Sequence, residues 1–163
     1  MDDKLRLYLD SSVLGATFDT ESKERVSVTQ GFLKWLSKRG HTACISGVTL
    51  EEIGKAPTRI RSGIEQTLRS LRLEILAETN DAKRLASAYL AARAVPQNSI
   101  ADARHIAVAS VHNVDALVSW NFQHMVNLFR RRKVHAVNLT HGKPLIDIVS
   151  PIELLEAEED ENG

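Results

Sequence analysis

Short apolar runs alternate along the chain with longer stretches in which apolar residues recur at helical spacing. In the first run, Leu5, Leu7 and Leu9 alternate with Arg6 and Tyr8, which is typical of a strand. Residues 10–12, Asp-Ser-Ser, then supply side chains that cap helices. We therefore predict that a strand near the start of the chain leads directly into a helix.

Four further apolar runs predict strands at residues 42–45, 73–76, 116–119 and 146–149. The segments between them predict helices at about 22–39, 60–71, 80–94, 100–112 and 122–132, with one more after Ser46 and a short one after the last strand. Strands that alternate with helices are joined by right-handed crossovers and form a parallel sheet with both faces covered. The predicted fold class is α/β, a Rossmann-like three-layer sandwich around a central parallel sheet of about five strands.

Length and composition favour a single compact domain over residues 1–155. The chain has 163 residues, of which 43% are hydrophobic and 26% are charged. Its apolar runs are too short for a membrane span, and its one cysteine, Cys44, excludes an internal disulfide and a cysteine-based zinc site. We expect a cytoplasmic protein that is not attached to a membrane.

The charges are distributed unevenly although 21 basic and 21 acidic residues cancel. The last eight residues carry five acids and no base, so residues 1–155 carry 21 bases against 16 acids. A block of like charge without an apolar period is typical of a solvated terminus. We therefore expect residues 156–163 to form a flexible acidic tail and the remaining body to be moderately basic.

Acidic and amide side chains follow the predicted strands. Asp10 ends the first strand, Glu52 lies one short helix after the second, and Asn121 follows the fourth. Asp102 shares the apolar face of its predicted helix with Ile106, where an unpaired carboxylate is costly. Ligands of parallel sheets bind at the carboxyl ends of the strands, and carboxylate and amide oxygens suit Mg²⁺ or Mn²⁺. These residues predict a site for a divalent cation at one sheet edge.

Four segments resemble, in this order, the motifs of PIN-domain nucleases, and most of all those of the VapC-type toxin branch: Leu7–Gly15, Ile45–Ile53, Ile100–Ala107 and Asp115–His124. The resemblance spans residue 5 to about 155 and includes the strand and closing helix at Ile148–Leu155. It implies an endoribonuclease that depends on Mg²⁺ or Mn²⁺. It also implies the toxin of a toxin–antitoxin pair, held inactive by a small antitoxin protein, and a homodimer.

The resemblance also implies roles for individual residues. Asp10, Glu52 (rather than Glu51) and Asp102 would be the acids that hold the metal, and Glu52 would bind it or orient the attacking water. Asn121 stands where many PIN domains have a fourth aspartate, which puts a second metal in doubt. Two hydroxyls would support the metal site, those of Ser12 and Ser119.

Basic residues outside the acidic cluster are candidates for RNA contact: Arg59, Arg61, Arg130, Arg131, Arg132 and Lys133. The last four form a run that the predicted elements place at the end of a helix, where positive charge is favourable without any ligand. Both interpretations of this run, RNA contact and favourable charge at a helix end, stay open. For Trp120, packing is favoured over stacking on a base, and for His105 and His112, one heptad apart, packing or interface roles are favoured.

Two other functions are consistent with parts of the sequence. A catalytically degenerate PIN-like module that binds RNA or protein is suggested by Asn121. A phosphotransferase that forms an aspartyl phosphate on Asp10 is disfavoured, because position 12 is a serine where the usual Asp-x-Asp motif has its general acid. Nucleotide-binding loops of the P-loop and dinucleotide types are absent from the sequence.

Overall fold

A computed structural model describes residues 3–163. Five strands form one sheet in which every neighbouring pair is parallel: β1 (Arg6–Leu9), β2 (Thr42–Ser46), β3 (Arg72–Leu76), β4 (Ala116–Val118) and β5 (Asp147–Val149). The strand order is β3-β2-β1-β4-β5, so β1 lies in the centre and the order reverses around it. This confirms the predicted fold class and gives β1 the position next to which such sheets bind ligands.

Eight helices cover the two faces of the sheet: α1 (Ser11–Ala16), α2 (Lys23–Arg39), α3 (Gly47–Gly54), α4 (Thr58–Arg69), α5 (Asn80–Ala91), α6 (Ile100–Val111), α7 (Leu128–Thr140) and α8 (Pro151–Asn162). Leu7 and Leu9 are buried with residues of α1, α2 and α4, whereas Tyr8 is buried on the other face with residues of α5 and α6. Alternation along β1 thus sends Tyr8, and after it Asp10, toward the α6 side of the sheet.

Local signals fix where α2 and α3 begin and end. Gly40 ends α2 in the left-handed conformation, with φ of 71°. Ser46 caps α3, and its side chain and that of Thr49 form a reciprocal capping box. As a result α3, which carries Glu52, starts directly at the carboxyl end of β2.

The segment after β4 differs from the prediction. A helix over 122–132 was expected, but α7 begins only at Leu128. The side chain of Asn121 accepts a hydrogen bond from the His124 amide at 3.0 Å, and that of Asn127 caps α7 by accepting from the Phe129 and Arg130 amides. These local side-chain bonds stabilise turns and not a helix over 121–127. The basic run 130–133 consequently lies in the first half of α7, so the expected role at a helix C-terminus is wrong.

The acidic end of the chain is helical in the structure. Residues 156–162, for which a flexible tail was expected, continue α8. Glu158 pairs with Arg39 at 2.5 Å, and Leu154 and Leu155 pack against the core, which anchors the helix on α2. Arg39 lies just before β2, so this acidic segment lies at the amino edge of the sheet, opposite Asp10. Among residues 3–163, no helix is long and apolar enough to cross a membrane.

Gly63 allows α4 to approach the segment after α1, because a Cβ atom there would lie 2.2 Å from Cζ of Phe18. We expect Gly63→Ala to lower the free energy of unfolding by about 1–3 kcal/mol, since the phenyl ring must move. Urea denaturation measures this. Gly31→Ala in α2 is the control: its Cβ would meet nothing within 4 Å, and alanine there stabilises the helix by about 1 kcal/mol. An equal increase in the free energy of unfolding for both variants would contradict the close approach assigned to Gly63.

Candidate functional site

Asp10 occupies the carboxyl end of β1 and also caps α1. Its Oδ1 accepts hydrogen bonds from the Ser12 amide at 3.1 Å, the Ser12 hydroxyl at 2.5 Å and the Val13 amide at 3.3 Å. Its Oδ2 accepts one from the Ser119 hydroxyl at 2.6 Å. Burial raises the pKa of Asp10 in spite of these bonds. The carboxylate is therefore fixed in a position where its charge is poorly solvated.

Two serines join the end of β1 to the loop after β4. Ser119, which donates to Asp10, accepts a hydrogen bond from the Asn121 amide at 3.0 Å. The Ser12 hydroxyl, which also donates to Asp10, accepts one from the Trp120 amide at 2.9 Å. Asn121 is thereby held beside Asp10, as the order of the motifs suggested.

Asp102 enters the same site from the first turn of α6, whose apolar face packs on the sheet as expected. The Asn121 side-chain amide donates to Asp102 Oδ2 at 3.3 Å. Burial raises the pKa of Asp102, and the nearby carboxylates of Asp10 and Glu52 raise it further. The three acids therefore lie close enough to repel one another.

Neighbouring glutamates on α3 have different partners. Glu52 Oε1 accepts a hydrogen bond from Nε2 of His105. Burial by itself would raise the pKa of Glu52, but its interactions with His105, together with those with Ser11 and Lys55, lower it. Glu51 instead binds Arg104, whose guanidinium also binds Glu78, at 2.9 Å and 2.7 Å. Of the two, only Glu52 belongs to the acidic cluster.

His105 is a site residue that sequence reasoning missed. The expected packing or interface role accounts for its burial but not for its contacts, because both ring nitrogens are hydrogen-bonded, Nδ1 to the Tyr8 hydroxyl at 2.6 Å. Its position one helical turn after Asp102, on the same side of α6, is the signal that could have found it. Another histidine, His124, lies near enough to Asp102 for its charge to influence that carboxyl.

Some of the aromatic and basic candidates for RNA contact already form hydrogen bonds within the protein. Trp120 is buried and donates from Nε1 to the Thr29 hydroxyl at 2.9 Å, which favours packing over base stacking. In α7, Arg130 and Arg131 donate to the backbone carbonyls of Arg93 and Ile148, at 3.3 Å and 3.0 Å. These two arginines join α7 to neighbouring segments. Within residues 3–163, no such bond to the backbone is made by the side chains of the other candidates, at positions 59, 61, 132 and 133.

The donor atoms of the acidic cluster suit a hard divalent cation. Asp10 and Asp102 are carboxylates whose charges are poorly solvated and repel each other, so a cation between them would offset an existing cost. Across residues 3–163, no three His, Cys, Asp or Glu side chains stand in positions to hold an ion together, and Glu52 faces His105. Mg²⁺ commonly binds through one or two carboxylates and keeps several waters. Two aspartates at this edge therefore fit such an ion.

Comparisons with known proteins identify the class. A profile of the PIN domain family matches residues 7–121. This chain belongs to the PIN domain family. The match begins in β1 and ends at Asn121, so it contains all the acids of the cluster. No sequence among the curated proteins matches the chain.

Several solved structures share the fold. VapBC2 of Rickettsia felis bound to a promoter DNA fragment is 15% identical, with a TM-score of 0.60 over 90% of this chain and 98% of that one. DNA-bound VapBC of Salmonella typhimurium is 19% identical, with a TM-score of 0.59 and the same coverage. VapC20 of Mycobacterium tuberculosis, a toxin that cleaves the sarcin–ricin loop, is 17% identical, with a TM-score of 0.56 over 72% and 91%.

Proposed function

We propose that this PIN-domain protein is a metal-dependent endoribonuclease that hydrolyses RNA phosphodiester bonds. One observation carries the proposal: the fold brings Asp10, Glu52, Asp102 and Asn121 to one sheet edge, where the acids repel one another. A structural role does not account for such a cluster, because mutual repulsion destabilises the folded chain. The family to which the chain belongs gives independent support.

In this mechanism, Asp10 and Asp102 would hold Mg²⁺ or Mn²⁺. The bound ion supplies positive charge that stabilises the attacked phosphate and makes its bound water more acidic. Ser12 and Ser119 hold Asp10 in position, and Asn121 holds Asp102. Glu52, fixed by His105, binds the ion or orients the attacking water. Asn121 adds no negative charge, so the cluster favours one tightly held ion over two.

Basic residues would attract the RNA backbone to the acidic edge. Arg59 and Arg61 lie on α4, which packs against α1 and α3, the two helices that begin at that edge. Arg132 and Lys133 lie on α7 beyond the turns that carry Asn121. Arg130 and Arg131 already donate to backbone carbonyls, so a contact with RNA phosphate would be made either beside these hydrogen bonds or in place of them. Phosphate contact by these residues makes RNA binding weaken steeply as salt rises.

The test is a cleavage assay with the purified chain and a mixed RNA pool, in Mg²⁺, in Mn²⁺ and with a chelator. We expect internal cleavage with the metals and none with the chelator. RNA that stays intact under every metal condition would contradict the proposal. Intact RNA that is nevertheless bound would favour the second candidate, a degenerate PIN-like binding module, for which the amide at Asn121 is the motivating observation.

We further propose that the chain is the toxin of a type II toxin–antitoxin pair, acting on cytoplasmic RNA and controlled by a small antitoxin protein. The VapC-type structures that share its fold support this proposal. A short reading frame for a DNA-binding protein next to the gene, whose product co-purifies with this chain and suppresses cleavage, is the expected finding. Its absence would remove the toxin assignment and leave the chemistry untouched.

The resemblance to VapC-type toxins also leads us to propose a homodimer. Light scattering at micromolar concentration is expected to give twice the chain mass of 18.1 kDa. A mass of one chain under these conditions would contradict it.

A further inference from the structure

A chain of hydrogen bonds runs beneath the acidic edge and ends at Glu52. The hydroxyl of Tyr8 lies 2.7 Å from Ser46 Oγ and 2.6 Å from His105 Nδ1, and His105 Nε2 meets Glu52 Oε1. Tyr8, Ser46 and His105 are buried, with at most 1% of each residue exposed. The chain therefore connects the central strand, the cap of α3 and helix α6 to the carboxylate of Glu52.

Donor and acceptor chemistry gives the chain one direction when the imidazole of His105 is neutral. An ionised carboxylate only accepts hydrogen bonds, so Nε2 of His105 carries the hydrogen that points to Glu52. In the neutral imidazole, Nδ1 is then an acceptor for the Tyr8 hydroxyl, and the Tyr8 oxygen accepts from Ser46. The Ser46 oxygen in turn accepts from the Val48 amide at 3.3 Å. Every member is satisfied, and the imidazole ring is held at both nitrogens.

This arrangement restrains an otherwise loosely held side chain. Glu52 lies on a helix of eight residues, and its side chain is 33% exposed, so its carboxylate depends on hydrogen bonds from other helices, one of them from Ser11 of α1. His105 fixes it from α6, the helix that also carries Asp102. The same helix thus sets the position of Asp102 directly and that of Glu52 through His105.

We propose that Tyr8 and His105 are positioning residues that hold the Glu52 carboxylate at the acidic edge, where its negative charge adds to the attraction for the ion. The inference rests on the proposed function, since it assigns a role within that site. Second-layer partners of this kind orient ligands, and their removal commonly costs 10–100-fold in metal affinity. Tyr8 and His105 touch neither metal nor RNA in this account, and their hydrogen bonds reach the acids through Glu52.

The test measures Mn²⁺ affinity of the full chain by calorimetry, and the Mn²⁺ concentration that gives half-maximal RNA cleavage. We expect His105→Leu and Tyr8→Phe each to weaken Mn²⁺ binding by about 10-fold or more. His105→Gln should restore most of the affinity, because its amide donates from nearly the same place as Nε2. Tyr89→Phe is the matched control: Tyr89 is equally buried, and its hydroxyl binds Ser110 and Asn138 away from the acids.

A double-mutant cycle separates positioning from general destabilisation. In a Glu52→Gln background, Tyr8→Phe and His105→Leu should have almost no further effect on Mn²⁺ affinity. Effects that add to that of Glu52→Gln, or a Tyr8→Phe variant that binds Mn²⁺ as Tyr89→Phe does, would overturn the inference while the nuclease proposal stands. Wild-type protein that neither binds Mn²⁺ nor cuts RNA would instead overturn the proposed function, and the inference with it.

Discussion

Replacing Asp102 by asparagine is expected to abolish RNA cleavage and at the same time to stabilise the metal-free protein. Cleavage should fall by about 10²–10³-fold or more, since the variant loses one of the two carboxylates that hold the ion and, with it, charge stabilisation of the phosphate. The melting temperature without metal should rise by about 2–4 °C, which corresponds to about 1 kcal/mol in a domain of this size. Both changes follow from the position of Asp102 beside Asp10 and Glu52.

Asp102→Asn is expected to stabilise the metal-free protein because ionisation of Asp102 is coupled to folding. Burial and the neighbouring acids raise the pKa of Asp102 in the folded chain above its unfolded value. The folded state then binds more protons than the unfolded state, and it loses stability as the pH rises through the raised pKa. Asparagine cannot ionise and avoids this loss. Differential scanning calorimetry at neutral pH with a chelator measures it, and a lower melting temperature for Asp102→Asn would contradict the repulsion between the acids.

Ser119→Ala is expected to reduce cleavage by about 10–100-fold without unfolding the protein. The Ser119 hydroxyl is the only group that donates to Asp10 Oδ2 within residues 3–163, and it also accepts from the Asn121 amide. Alanine removes both bonds, so one of the two serine links between Asp10 and the loop after β4 is lost while the Ser12 link remains. The measurement is the cleavage rate at a fixed Mn²⁺ concentration, followed by a titration to saturating Mn²⁺.

Ser110→Ala supplies the control for that prediction. Ser110 is as fully buried as Ser119, and its hydroxyl binds Tyr89 and Asn138 in a network that contains none of the acids. We expect it to lower stability by a similar amount and to leave the cleavage rate at saturating Mn²⁺ unchanged. If both serine variants slowed cleavage equally, the role assigned to Ser119 would be wrong.

Much of the fold could be predicted because its signals are local. The caps at Ser46 and Gly40 and the apolar runs of the strands lie within a few residues of the boundaries that they set. The helix expected over 122–132 was wrong because that prediction used apolar spacing alone. Apolar spacing does not reveal the hydrogen bonds that Asn121 and Asn127 form with nearby amides. The ion pair between Glu158 and Arg39 could not be predicted, because the two residues are far apart in the sequence.

The acids of the candidate site could be proposed from the sequence, but their supports could not. Residues at the ends of parallel strands meet at one edge whatever the details of packing, which is why Asp10 and Asn121 were found. Asp102 was found because it is a carboxylate on the apolar face of a predicted helix. The bond from His105 to Glu52 depends on the distance between α3 and α6, and that distance is a property of the packed core. The choice of Glu52 over Glu51 came from resemblance, and the structure adds a reason, since Arg104 engages Glu51.

The most direct test of the central claim compares the wild-type chain with Asp10→Asn in Mn²⁺-dependent cleavage of RNA. Asparagine is as good a helix cap as aspartate, so the variant should keep α1 and fold. We predict that the wild-type chain cleaves RNA internally when Mn²⁺ is present, and that Asp10→Asn cleaves at least about 100-fold more slowly. Cleavage by Asp10→Asn at the wild-type rate, or cleavage by the wild type in excess chelator, would contradict the account.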